Sequence, residues 1–284
     1  MTWTVSSSLD DFRAHTDAFL AERPAENTVL LTVVHRLAGH GLDVFGELPP
    51  VFGWWRAEPG GPVAGAFVQT PPFEPRLGVM PVEAAAELAE VLAAAGADVQ
   101  GVSGGEAPAR AFSAAWQAAT GATDSVKNNQ RLYRLGELTL DPARTPAGHH
   151  RLAVPADREL LIGWYRAFLA ETGVLLPNIA RSVDDRTAAG GLHVWEVAGR
   201  PVTMAGVSPV IAGMSRIGPV YTPHELRGRG YASGVTAAAS AHALRSGAAE
   251  VLLYTDLANP TSNNIYQRIG YRPVEDCLTL DFRR

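Results

Sequence analysis

Cysteine and lysine are almost missing from this chain of 284 residues. The lone cysteine, Cys277, excludes an intramolecular disulfide and any zinc site built on a cysteine cluster. It lies in Asp276-Cys277-Leu278-Thr279-Leu280, which reads as a strand, so a buried thiol is expected rather than a nucleophile. The lone lysine, Lys127, leaves the C-terminal half without a lysine nucleophile or base. The remaining fixed cations are arginines, and Ala and Gly abound, a bias expected of a high-GC bacterial genome. No stretch reaches the roughly 18 apolar residues of a membrane span, and the N-terminus has no basic start with an apolar run like a signal peptide. A soluble, cytoplasmic protein with no membrane partner is expected. The net charge of −5 and the lack of a basic tail argue against nucleic acid, whose phosphates need clustered Lys and Arg. No metal-ligand pattern stands out.

The composition supports a substantial core: 46% of residues are hydrophobic and only 19% are charged. The length fits one large domain or two of about 140 residues. Helices are expected over Ser8–Leu20, Glu26–Ala38, Val82–Ala95 and Pro108–Ala119, with strands at 51–56, 63–70, 99–102 and 130–135. A polar connector with two prolines, 141–148, follows. The order then starts again: helices at 157–169 and 178–189, strands at 192–197, 201–210 and 215–221, a helix at 235–245, a strand at 250–255, a helix at 260–269 and strands to the end. This is a repeat of architecture without obvious sequence identity, and it divides the chain into 1–140 and 149–284.

The second half carries the chemistry. Between the strand ending at Tyr221 and the Ala-rich helix lies Thr222-Pro223-His224-Glu225-Leu226-Arg227-Gly228-Arg229-Gly230-Tyr231-Ala232-Ser233-Gly234. A strand turning through glycines into a helix gathers backbone N–H groups at the positive end of the helix dipole, a site for an anion. Arg227 and Arg229 add fork-shaped donors suited to phosphate. A nucleotide P-loop would need Lys-Ser/Thr after its last Gly, and Tyr231-Ala232 stands there. A dinucleotide fingerprint would need Gly at 233, which is Ser. The pattern Gln/Arg-x-x-Gly-x-Gly/Ala is filled at every fixed position by Arg227 to Ala232. A second constellation, Asn259-Pro260-Thr261-Ser262-Asn263-Asn264-Ile265-Tyr266-Gln267-Arg268-Ile269-Gly270-Tyr271, puts Asn259, Asn263, Tyr266 and Gly270 on or near one helix face. Asn259 before Pro260 also makes a helix start, and Gly270 a helix end.

Together the two segments resemble the paired motifs of the GNAT superfamily of acetyl-CoA-dependent N-acetyltransferases. The resemblance implies an α/β (α+β) fold of two GNAT-like lobes, each a mixed, mostly antiparallel sheet flanked by helices. The first lobe, where Phe73-Glu74-Pro75-Arg76-Leu77-Gly78-Val79-Met80-Pro81 replaces the loop, is expected to be degenerate and to bind no cofactor. For the second it implies acetyl-CoA held by Val220, Tyr221, Thr222, Arg227, Gly228, Arg229, Gly230, Tyr231, Ala232 and Ser233, with Asn259, Asn263 and Tyr266 along the rest of the cofactor. It also implies transfer to a primary amine by direct attack in a ternary complex, with a backbone N–H near Val220 as oxyanion donor and Tyr266 as general acid. The attacking amine must be neutral, so a base or a lowered pKa is needed. Glu196, Asp256, His224 and Glu225 are open candidates, as is a water chain. A small-molecule acceptor, bound between the lobes, is expected, with Trp54, Trp55, Phe73, Trp164, Tyr165 and Trp195 as candidate lining; the state is monomer or homodimer. Transfer of a longer acyl group, a non-catalytic acyl-CoA sensor and a nucleotide-binding oxidoreductase are the rival readings.

Overall fold

The computed structural model describes residues 2–139, 145–173 and 178–283. The first four residues of the expected connector, 141–144, lie outside them. By internal contacts the chain forms two compact units: Met1–Leu132 with Thr255–Ala258 and Val274–Arg284, and Tyr133–Tyr254 with Asn259–Pro273. The sequence placed the whole of 149–284 in one domain; by contacts, the C-terminal eleven residues and a four-residue turn go with the first unit instead.

Element order repeats fully. The first run is β1 (Thr2–Ser6), α1 (Leu9–Glu22), α2 (Thr28–His40), β2 (Val51–Arg56), β3 (Gly65–Gln69), β4 (Arg76–Leu77), α3 (Val82–Ala94), β5 (Gly101–Gly105), α4 (Glu106–Thr120) and β6 (Thr123–Leu135). The second is β7 (His149–Leu152), α5 (Arg158–Thr172), α6 (Ile179–Ala188), β8 (Leu192–Val197), β9 (Arg200–Val207), β10 (Met214–Tyr221), α7 (Tyr231–Arg245), β11 (Glu250–Asp256), α8 (Pro260–Arg268) and β12 (Tyr271–Arg283). Three strands escape the sequence reading. β1 and β7 show little burial alternation and exist by pairing with β2 and β8, and β4 is two residues long. Helix starts follow local chemistry: the Ser8 hydroxyl accepts the Asp11 N–H at 3.1 Å, and Asn178 and Asn259 cap α6 and α8 in the same way.

In the first unit the strands run β1-β2-β3-β4-β5-β12, antiparallel except for the β4–β5 pair. Cys277 to Asp281 of β12 pair with Gly105 to Gly101 of β5, so the last strand of the sequence completes the first unit's sheet. Leu278, Leu280 and Phe282 are buried there, and Phe282 stacks on Phe112 and Trp116. Cys277 is buried, as the strand pattern implied.

In the second unit the order is β7-β8-β9-β10-β11, antiparallel except for β10–β11. α7 packs on one face, its Val235 and Ala239 meeting Val202, Ala205, Val207, Val251, Leu253, Tyr266 and Tyr271 in one core. α5 and α6 cover the other with Leu161, Tyr165, Val183, Val194 and Met204. β6 contributes Tyr133 and Leu135 to the α7-side core. Among the described residues, no helix is long and apolar enough to cross a membrane.

Candidate functional site

The site starts where a ladder stops. β10 and β11 pair in parallel through Met214–Glu250, Ser215–Val251 and Arg216–Leu252, and no further, although both strands continue. On its other side β10 stays paired to β9, but its register shifts between Ile217 and Val220, leaving Gly218 and Pro219 opposite the single residue Gly206. Such a bulge bends its strand and re-aims the residues that follow. The two parallel strands therefore part just before Val220, Tyr221 and Thr222, and a Cβ added at Gly218 would meet nothing within 4 Å among the described residues.

The chain leaves β10 through a short 3-10 turn, His224–Leu226, and enters α7 at Gly230. Gly228 and Gly230 have φ of 76° and 82°, which L side chains rarely adopt. No side chain caps α7, so the leading N–H groups of Tyr231, Ala232 and Ser233, which lack intrahelical acceptors, face outward with the dipole behind them. Among the described residues nothing lies within 4 Å of a Cβ on Gly228, so the turn is uncluttered by them. Gly234 has another role: a Cβ there would lie 3.1 Å from both Pro146 Cγ and Trp195 Cζ3, so glycine lets the helix approach β8. These features suit a diphosphate.

The two arginines differ. Arg229 is exposed, with its guanidinium 3.4 Å from the Glu225 carbonyl. Arg227 donates to the Thr222 carbonyl at 2.9 Å, lies over the Tyr221 ring at 5.8 Å, and meets both oxygens of Glu171 at 2.7 Å. Glu171, in the last turn of α5, gave no signal in the sequence; the contact joins positions 56 apart.

The second constellation is largely occupied by its own fold. Asn259 caps α8 through the Ser262 N–H at 3.0 Å. Asn263 donates to the Asn259 carbonyl at 2.7 Å and accepts the Tyr133 hydroxyl at 2.8 Å, and Gln267 donates to the same hydroxyl at 3.0 Å. Tyr133 is thus a site-supporting residue that the sequence reading missed. Tyr266 is buried, edge-on to Tyr271 with ring centroids 6.1 Å apart. Burial pushes its phenol up to about 12, opposed by a hydrogen bond with Ser262. The phenol is packed in the same core as Tyr231 and Val235 of α7. Gly270, at φ 109°, admits no Cβ, which would collide with the Glu137 carbonyl.

Two of the four candidate bases are engaged by neighbours. Glu196 accepts from Arg151 Nε at 2.6 Å, and Arg151 also binds Asp157 at 2.7 and 3.0 Å, a network tying β7 to β8. Asp256 belongs by contacts to the first unit, where its carboxylate accepts the Ala258 N–H at 2.7 Å in its own turn. His224 and Glu225 are exposed on the 3-10 turn. Trp54, Trp55, Trp164, Tyr165 and Trp195 are buried core residues, and Phe73 is half-buried. Trp55 and Trp195 also have their indole N–H groups engaged, by Glu87 at 3.0 Å and the Ala147 carbonyl at 2.9 Å.

Residues 205–280 match the model of the FR47-like protein family, a span holding β10, the glycine turn, α7, β11 and α8. A GNAT-family acetyltransferase from Colwellia psychrerythraea superposes with a TM-score of 0.63 over 100% of both chains at 14% identity. The chain has the fold of the GNAT superfamily. A GCN5-related N-acetyltransferase from Sphaerobacter thermophilus superposes with a TM-score of 0.64 over 98% of this chain and 94% of its own, at 16% identity. A tandem GNAT protein from the clavulanic acid biosynthesis pathway covers 99% of this chain and 98% of its own, with a TM-score of 0.52 and 14% identity. No curated protein matches. The GNAT fold thus spans both runs of elements, and the family match falls on the second alone.

Proposed function

We propose that this protein is an N-acetyltransferase that moves an acetyl group from acetyl-CoA to a primary amine of a small molecule, using its second unit alone. The observation carrying this reading is the conjunction of parted strands β10 and β11 with an uncapped helix start whose sequence, Arg227 to Ala232, is the expected cofactor signature. Acetyl-CoA would bring a diphosphate for the N–H groups of 228–233 and a thioester carbon activated towards amines. The chain's own part is to bind, orient and move protons. Arg229 adds charge at the diphosphate, and Arg227 does so on leaving Glu171. Val220 follows the bulge and offers its N–H to the oxygen of the carbonyl under attack. Tyr266 keeps its proton at neutral pH and gives it to the departing sulfur.

With Glu196 and Asp256 both engaged, and His224 and Glu225 on the exposed 3-10 turn beyond the parted strands, proton removal from the amine is assigned to water rather than to a side chain. The first unit supports the single-site reading. There β4 is only two residues long, Leu77 packs against Gly104 of β5, and the loop's Val79 N–H is bound by the Asn27 side chain at 2.9 Å. A panel of primary amines assayed for free-thiol release, with calorimetry in parallel, tests this. The expected result is amine-dependent thiol release with one acetyl-CoA bound per chain. Binding without release by any amine would leave an acyl-CoA-binding module, and no binding at all would refute the cofactor assignment.

A further inference from the structure

The bulge of β10 is pinned from outside its own sheet. Arg186, in the last turn of α6, donates from Nη1 to the Gly218 carbonyl at 2.8 Å. It reaches there across Gly206, the residue opposite the bulge: a Cβ on Gly206 would collide with Arg186 Nη1 and lie 2.6 Å from that carbonyl. Gly218 itself has φ of 149°, a conformation nearly confined to glycine. The Tyr165 hydroxyl of α5, buried and without a hydrogen-bond partner in good geometry among the described residues, lies against the same guanidinium. Two glycines and an arginine 20 to 32 positions away from them thus meet at the point where β10 and β11 part.

We propose that Arg186 is a positioning residue: by holding the Gly218 carbonyl out of the sheet it fixes the bulge, and so sets the direction of the Val220 peptide two residues on. The catalytic half of this inference rests on the acetyl-transfer reading; the structural half does not. An extra strand residue leaves its peptide groups short of ladder partners. A carbonyl bound by a cation is satisfied in that unusual place, whereas an orphaned one favours slippage of β10 back towards regular pairing. Among the described residues Arg186 makes no hydrogen bond or ion pair with the glycine turn or α7, so its loss should disturb the Val220 peptide and spare the diphosphate cradle.

The test uses the full chain with Arg186→Gln, whose amide falls short of the carbonyl, and Arg186→Lys, which keeps a charged donor. Hydrogen exchange of the protein alone reads the structural half. In Arg186→Gln the amides of residues 217–222 are expected to exchange about tenfold faster, with 227–245 unchanged, and Arg186→Lys should restore most of the protection. Turnover and acetyl-CoA binding read the catalytic half. For Arg186→Gln, kcat should fall about ten- to hundredfold, as when an oxyanion donor is misplaced, while the cofactor Kd moves less than about threefold. Unchanged exchange at 217–222, or exchange accelerated equally through the whole second unit, overturns the positioning role. A loosened segment with kcat within twofold of the parent overturns its catalytic link. If the parent protein turns over no amine, the acetyl-transfer reading fails, and the exchange result still decides whether Arg186 fixes the bulge.

Discussion

His193 on β8 is fully buried among like charges in waiting, and the stability of the second unit should fall with pH because of it. Its Nδ1 lies 2.7 Å from Nε2 of His150 on β7, with the rings stacked at 4.9 Å. His242 of α7 meets it edge-on at 4.7 Å, Arg245 follows on the same helix, and His193 Nε2 has no hydrogen-bond partner among the described residues. Burial, then His150, His242 and Arg245, lower its pKa from 6.5 to about 3. The folded pKa lies below the unfolded one, so the unfolded chain takes up the proton first as pH falls. The stabilisation is intact above about 6.5 and drains away towards about 3. Between pH 7 and pH 5, where the unfolded imidazole charges and the folded one does not, the loss comes to about 2 kcal/mol. His150, also lowered by burial and by His242, Arg245 and His149, adds in the same direction. The carboxylates held low by arginine, Asp157 and Asp276, titrate below this window. Urea unfolding at both pH values, with hydrogen exchange over 192–197 to isolate the second unit, measures it. The variant His193→Phe should lose about 1 kcal/mol at pH 7 with the His150 hydrogen bond, and then show a shallower pH dependence. Equal losses between pH 7 and pH 5 in parent and variant would refute the reasoning.

Three other changes probe the site. Tyr266→Phe removes the proton donor and keeps the packing; it should lower kcat by about a hundredfold or more and leave the acetyl-CoA Kd within threefold, so full turnover in steady-state assays would remove Tyr266 from the chemistry. Gly234→Ala places a methyl 3.1 Å from an indole whose N–H is anchored to the Ala147 carbonyl. Overpacking of about 1–3 kcal/mol outweighs the gain of about 1 kcal/mol in helix propensity, so thermal melts should show a net loss. Glu171→Gln frees Arg227 from a pair that is about half exposed, worth at most about 1 kcal/mol, so acetyl-CoA should bind about two- to fivefold tighter at low salt and less so at high salt. Equal affinity at low salt would show that Arg227 is not recruited.

What the sequence disclosed was local and what it hid was long-range. The helix starts at Ser8 and Asn259, the glycine turn and the spacing of Tyr266 all depend on residues within one or two turns of each other. They can be read because capping, φ and helix periodicity are short-range physics. Tyr133 on Asn263, Glu171 on Arg227 and Arg186 on Gly218 join positions 130, 56 and 32 apart, and nothing in their surroundings marks them. β7 was invisible for a related reason: His149-His150-Arg151-Leu152 has no strand-like composition and becomes a strand by its pairing with β8. The fate of β12 was hidden too, since an alternating pattern shows that a strand has a buried face without showing whose sheet it joins.

The same contrast separates the two copies of the fold. Both have a strand, a loop and a helix at the corresponding place, so the architecture alone would allow an anion site in each. In the second copy, glycines at positive φ lead into an uncapped helix, and the ladder opens after three residue pairs. In the first, Asn27 bridges Val79 N–H and the Leu20 carbonyl, at 2.9 and 3.3 Å, so a buried side chain already occupies the loop's donor. Gly78 is wedged against that same asparagine, and Pro75 closes on Ser103 of β5 through a 3.0 Å backbone bond. A donor bound internally is satisfied without a ligand. On the proposed reading, what separates the two copies is the glycine turn at positive φ in the second and the internally bound Val79 N–H in the first. That is a property of a few side chains, not of the topology they share.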